Sequence, residues 1–284
     1  MSGIFGVVSA ADCMDDLFYG TDYQSHLGTE FGGLAIQGDG VHRKIHRIAN
    51  GQFKNLFLEF YHSFSGTAGV GVISDRDPQP IVLESRFGRF TLVTAGMVRN
   101  AEELAERMTQ EGTTFSEIEE GRINQTEVVA KIIAQGDTIV SGIQSVFEQI
   151  TGAISLLLLT EEGLYAACDP GGRIPLTIGS RDGAMAVTTE SCAFPNLGYS
   201  TTKYMTGGEI TFVRRRDVEQ IQSGDGATRI CSFLWIYTGY PASHYEGRSV
   251  EMVREACGRA LARADDMEVD LVSGVPDSGT GHAI

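Results

Sequence analysis

The chain has 284 residues, 42% of them apolar and 21% charged, with a formal net charge of −15. That is the composition of a folded protein, long enough for one large domain and a smaller piece beside it. The acidic balance argues against a nucleic-acid surface, no apolar run nears the roughly 20 residues of a membrane span, and the N-terminus lacks a signal-peptide layout, so a cytoplasmic protein without nucleic-acid or membrane partners is expected.

Taken in order, the pattern alternates short strands with helices. Residues 4–9 and 33–37 read as apolar strands, and 67–73, 79–84 and 89–95 continue the set between turns. At Asn100 a capping residue and an acidic first turn open a helix to residue 109, with Leu104 and Met108 four apart. A second helix is expected over 125–135, where Val128, Val129, Ile132 and Ile133 share one face. The acidic run 117–120 reads as a solvated helix end. Strands follow over 153–160, 164–168, 174–178 and 184–188. Sheets with helices gathered between them suit a layered α/β sandwich, two sheets face to face under helices on both sides.

The character changes near residue 229. Ser249 caps an amphipathic helix to Ala264 that carries Val250, Val253, Cys257, Ala260, Leu261 and Ala264 at three-and-four spacing. Residues 269–275 read as a buried strand, running into the glycine-rich loop 276–281. Helix, strand and loop are the opening steps of a doubly wound α/β domain, in which Asp277, Ser278, Gly279 and Thr280 would cradle phosphate with backbone N–H groups. The five cysteines, Cys13, Cys168, Cys192, Cys231 and Cys257, are scattered without a Cys-x-x-Cys pair. Neither a zinc site nor a disulfide framework is indicated, and no metal or cofactor is expected.

Several dispersed stretches carry a family resemblance. These are the opening Ser2-Gly3-Ile4-Phe5-Gly6-Val7, then His26-Leu27-Gly28 with Gly33-Leu34-Ala35, then Gln79-Pro80. Further on come Cys168-Asp169-Pro170-Gly171-Gly172-Arg173-Ile174-Pro175-Leu176, Thr189-Glu190-Ser191-Cys192-Ala193, Trp235-Ile236-Tyr237 and Val275-Pro276-Asp277-Ser278-Gly279. Together they resemble the amidophosphoribosyltransferases, whose N-terminal domain is a class II glutamine amidotransferase. The resemblance implies a four-layer αββα N-terminal-nucleophile hydrolase sandwich over residues 1–228. A partial phosphoribosyltransferase-like segment over 229–284 would follow it.

In that family the N-terminal residue, exposed by removal of Met1, attacks the amide of glutamine with its own α-amine as base. Here the nucleophile position is Ser2. The arginine that clamps the glutamine carboxylate falls near Ser74, with Arg76 two residues on as a substitute. The Asn-Gly oxyanion pair becomes Ala95-Gly96, and the aspartate that holds the substrate amine becomes Gln125. Losing one oxyanion donor costs on the order of 10² to 10³ in rate, and losing the clamps removes orientation as well.

Three readings follow. One is a glutaminase-silent domain in purine biosynthesis that acts as scaffold, regulator or binder of a glutamine-like molecule or nucleotide. The second is an amidohydrolase using Ser2, and the third a fragment of an ammonia-dependent phosphoribosyltransferase. The resemblance also implies a homo-oligomer. Cys231 lies where some members place the first ligand of an iron–sulfur cluster; without the companion ligands it reads as a simple thiol. His26 reads as a hydrogen-bonding histidine of the frame, and Asp169 and Arg173 as the ties of a turn.

Overall fold

The computed structural model describes residues 2–119, 121–226 and 228–284. Thirteen strands build two large antiparallel sheets. In chain order they are β1 (Gly3–Ser9), β2 (Phe31–Gln37), β3 (Val41–Arg47), β4 (Ala68–Ser74), β5 (Ile81–Ser85), β6 (Gly88–Val98), β7 (Gly152–Leu159), β8 (Leu164–Ala167), β9 (Thr177–Arg181), β10 (Ala184–Thr188), β11 (Ser200–Tyr204), β12 (Ile210–Arg214) and β13 (Asp217–Gln222). The first sheet runs β11-β9-β10-β1-β4-β2-β3 and the second β13-β12-β8-β7-β6-β5.

The helices are α1 (Met14–Asp22), α2 (Phe53–Ser63), α3 (Ala101–Gln110), α4 (Gln125–Gln135), α5 (Ile139–Gln149), α6 (Val250–Ala264) and α7 (Ser278–Ala283), besides a helical turn at Ala193–Asn196.

The central strands are apolar on both faces because each face is covered. In β1, Ile4 and Val8 pack between the sheets, whereas Phe5 and Val7 pack against α1 and α2. In β7, Leu157 and Leu159 face the other sheet and Ile154, Leu156 and Leu158 face the layer of α3, α4 and α5. A period of two thus divides one continuous run, Leu156 to Leu159, between two cores. The result is the expected αββα sandwich.

Several elements went unassigned in the sequence. Helix α2 buries Phe53, Phe57 and Phe60, a four-and-three spacing that a helical search would detect. Helix α5 begins with a capping box in which the Thr138 hydroxyl accepts from the Ser141 N–H at 3.0 Å and the Ser141 hydroxyl accepts from the Thr138 N–H at 2.9 Å. The register near 174–178 also moves: Ile174, Pro175 and Leu176 precede the strand, which starts at Thr177. The acidic run is not a helix end, since Ile118 and Glu119 pair with Ile123 and Arg122 in a two-residue ladder. Met1, Glu120 and Ala227 lie outside the described residues.

The C-terminal segment corrects the sequence more strongly. Residues 269–275 form no strand, and Leu271 and Val275 are about four-fifths exposed, at 83% and 80%. A strand buried on both faces needs neighbours to satisfy its N–H and C=O groups, and none is supplied here. The glycine-rich stretch likewise turns into helix α7 from Ser278. Helix α6 forms where expected, yet it buries Val250 and Arg254 while Leu261 stays exposed. Arg254 is buried as a donor to backbone: Nε reaches the Trp235 carbonyl at 2.9 Å, and Nη2 reaches those of Tyr237 at 3.0 Å and Gly239 at 2.7 Å. Those carbonyls end the helical turn Leu234–Thr238, where a cation is favoured.

Candidate functional site

Ser2 stands at the head of β1, and β1 is the centre of its sheet, between β10 and β4. The residue is buried apart from one opening, into a cleft of about 840 Å³. The ends of β6 and β7 approach there through glycines. Gly96 has φ +122° and Gly152 φ +136°, and a Cβ on either would lie 2.1 Å from the carbonyl oxygen of Ala153 or Met97 respectively. Only glycine adopts that backbone readily and permits that approach. Gly152 was not anticipated; its position after the Ile150-Thr151 pair and before an apolar run is the kind of strand-entry glycine that signals a bulge or close contact.

The residues singled out by resemblance divide between cleft and frame. Ser2, Arg76 and Gly96 line the cleft, together with Asp75, Arg99, Arg122 and Arg173. Ser74, Ala95 and Gln125 do not. The Ala95 methyl is buried between the sheets. The Ser74 hydroxyl accepts from the backbone N–H groups of Arg76 and Asp77, both at 3.2 Å, and closes the turn after β4. Gln125 is bound to strand β6: its Oε1 accepts the Val98 N–H at 2.9 Å and its Nε2 donates to the Gly96 carbonyl at 3.3 Å. The phosphate-loop candidates Asp277, Ser278, Gly279 and Thr280 sit on the separate C-terminal segment, at the start of α7, and do not line the Ser2 cleft.

A second hollow of about 270 Å³ adjoins the cleft and shares Arg76, Arg99 and Arg122 with it. Asp77 and Gln125 lie in its wall. Burial pushes the Asp77 carboxyl up to about 6, against the pull of Arg76, of the Gln125 donors and of Arg122. Its Oδ2 is buried without a hydrogen-bond partner among the described residues. Asp77 was not singled out in the sequence, because nothing local distinguishes it; the wall it joins is assembled from residues nearly 50 apart.

The framing residues act as expected. His26 Nε2 meets Glu190 Oε1 at 3.0 Å. Asp169 accepts the N–H groups of Gly171 at 3.0 Å and Arg173 at 2.7 Å, and the Arg173 guanidinium at 3.2 Å. Burial pushes the Cys168 and Cys192 thiols up to about 12, which keeps them protonated and unreactive. No group of three or more His, Cys, Asp or Glu side chains able to hold a metal occurs among the described residues. No helix among them is long and apolar enough to cross a membrane.

Known proteins match both the fold and this site's frame. A family profile described as a glutamine amidotransferase domain matches residues 68–196. The amidophosphoribosyltransferase of Methanocaldococcus jannaschii is 27% identical over 309 residues, covering 100% of this chain and 65% of that protein. That of Bacillus subtilis is 28% identical over 296 residues, covering 99% of this chain and 60% of its own length. The solved glutamine phosphoribosylpyrophosphate amidotransferase of B. subtilis, complexed with ADP and GMP, superposes with a TM-score of 0.89 at 26% identity, over 99% of this chain and 62% of that one.

Layers, strand order and site position together define a class II glutamine amidotransferase fold of the N-terminal-nucleophile type. Within that class, the chain is similar along nearly its whole length to the amidophosphoribosyltransferases. It spans between 60% and 65% of the length of the two relatives named above.

Proposed function

We propose that the sandwich is a ligand-binding domain that keeps the amidotransferase fold without glutamine turnover. The observation that carries this reading is the engagement of Gln125. Its amide is committed to the Gly96 carbonyl and the Val98 N–H, so the side chain at the substrate-amine position serves the frame. The Ser74 hydroxyl is likewise spent on a turn, and Ala95 offers no oxyanion donor. A neutral amide cannot replace a carboxylate as partner of an ammonium group, and each missing donor removes orders of magnitude from the rate. The domain then serves as a regulatory or scaffold part of a longer purine-biosynthetic relative.

Ammonia release from glutamine, measured beside Ser2→Ala with intact mass on the same sample, tests this. Wild type and variant are expected to release ammonia at the same background rate. A second reading, an amidohydrolase with an N-terminal serine, is favoured by one fact: Ser2 still opens into the cleft beside Gly96. It requires a mass lacking Met1 and ammonia release that disappears in Ser2→Ala.

A further inference from the structure

The cleft over Ser2 is lopsided in charge. Arg76 follows β4, Arg99 follows β6, Arg122 belongs to the small ladder before α4, and Arg173 lies in the turn after β8; all four line one cleft, and Asp75 is the single acidic residue in its wall among the described residues. In a chain of net charge −15, such a gathering runs against composition. Neighbouring guanidinium groups repel one another, and an anion seated among them relieves that repulsion. Arg173 is partly satisfied by Asp169. Arg76 and Arg99, by contrast, form no ion pair among the described residues.

Glutamine does not match this lining. As a zwitterion of zero net charge it needs one cation for its carboxylate, which would leave Arg76 or Arg99 without an anion. The volume, about 840 Å³, is that of a site for a ligand larger than one amino acid. Arg76, Arg99 and Arg122 border both the cleft and the adjoining 270 Å³ hollow, so they approach the same space from its inner side. Guanidinium forks bind carboxylates and phosphates alike. Convergence of several forks favours phosphate, which presents three terminal oxygens where a carboxylate presents two.

We propose that the cleft over Ser2 binds a small molecule carrying a phosphate or pyrophosphate group, held by Arg76, Arg99 and Arg122 with Arg173 at the rim. This rests on the reading of the sandwich as a binding domain and names its ligand class.

Calorimetric titration of the whole chain at low ionic strength, with inorganic pyrophosphate, citrate and glutamine as separate probes, tests it. Saturable pyrophosphate binding is expected, weakened roughly tenfold by Arg76→Ala and by Arg99→Ala and further by the double variant. Both side chains are exposed, so circular dichroism and melting of the variants should match wild type. Absence of saturable pyrophosphate binding, citrate binding as tight as pyrophosphate, or pyrophosphate binding unchanged in the double variant would each overturn the proposal. Ser2-dependent ammonia release alongside arginine-dependent pyrophosphate binding would overturn the silent-glutaminase reading alone and leave the phosphate site supported.

Discussion

Asp77 carries an electrostatic cost that a titration can read. Its carboxyl is raised from 3.8 to about 6, chiefly by desolvation. Between those values the native chain holds a proton that the unfolded chain releases, so stability falls as pH rises through the window and levels off above it. The shift corresponds to a loss on the order of 2–3 kcal/mol. Asp77→Asn keeps the shape and removes the charge. Urea unfolding at pH 4.5 and 7.5 should show a smaller difference between the two pH values than in wild type, with the variant the more stable at pH 7.5. An unchanged pH difference would mean that Asp77 ionises freely in the folded protein. Ser2, Arg76 and Gly96, singled out by the resemblance, line the cleft; Asp77 was not singled out, because its neighbour Gln125 lies on another element.

At the scale of elements, the clearest case is the contact between β2 and the turn before β5. A Cβ on Gly33 would lie 1.7 Å from the Gln79 carbonyl oxygen. Gln79 cannot retreat, since its Oε1 accepts the Thr94 N–H at 2.7 Å and its Nε2 donates to the Thr94 carbonyl at 3.3 Å. Gly33→Ala is therefore expected to destabilise the protein by about 3 kcal/mol or more, measured as a lower urea midpoint with an unchanged slope. The sequence displays Gly33 and the Gln79-Pro80 pair as separate motifs; folding makes them one contact.

Helix α4 shows the opposite case. Its cap is local: Asn124 Oδ1 accepts from the N–H groups of Thr126 at 2.9 Å and Glu127 at 3.2 Å. The helix was accordingly predictable to the residue. Strand-like patterning over 269–275 misled because β-branched composition reports fitness for a sheet, and the sheet must come from elsewhere.

For the whole molecule, the decisive feature is a buried carboxylate at the join between the sandwich and the C-terminal segment. Glu190 is fully buried. It accepts from Tyr245 Oη at 2.6 Å, the Tyr240 N–H at 3.3 Å and the Ser243 hydroxyl, and meets His26 Nε2 at 3.0 Å. Three of those partners belong to the 240–245 stretch, so one side chain ties that stretch to the sandwich. Glu190→Gln turns an acceptor into a group with fewer acceptor sites and leaves buried donors short of partners, at a cost of about 1–3 kcal/mol. Hydrogen exchange should speed up over residues 240–250 while β1 and β4 stay protected. Equal acceleration in the central strands would show that Glu190 supports the entire fold and not this join.

The sequence by itself determined the layered fold, the positions of most strands and capped helices, and the family resemblance, because period-two runs, caps and turn residues are written within a few positions of one another. Tertiary structure alone decided which family positions became frame, that four arginines share one cleft, and that Glu190 ties down residues 240–245. Each of those facts depends on residues tens of positions apart arriving at one place, and on the burial and charge they create there.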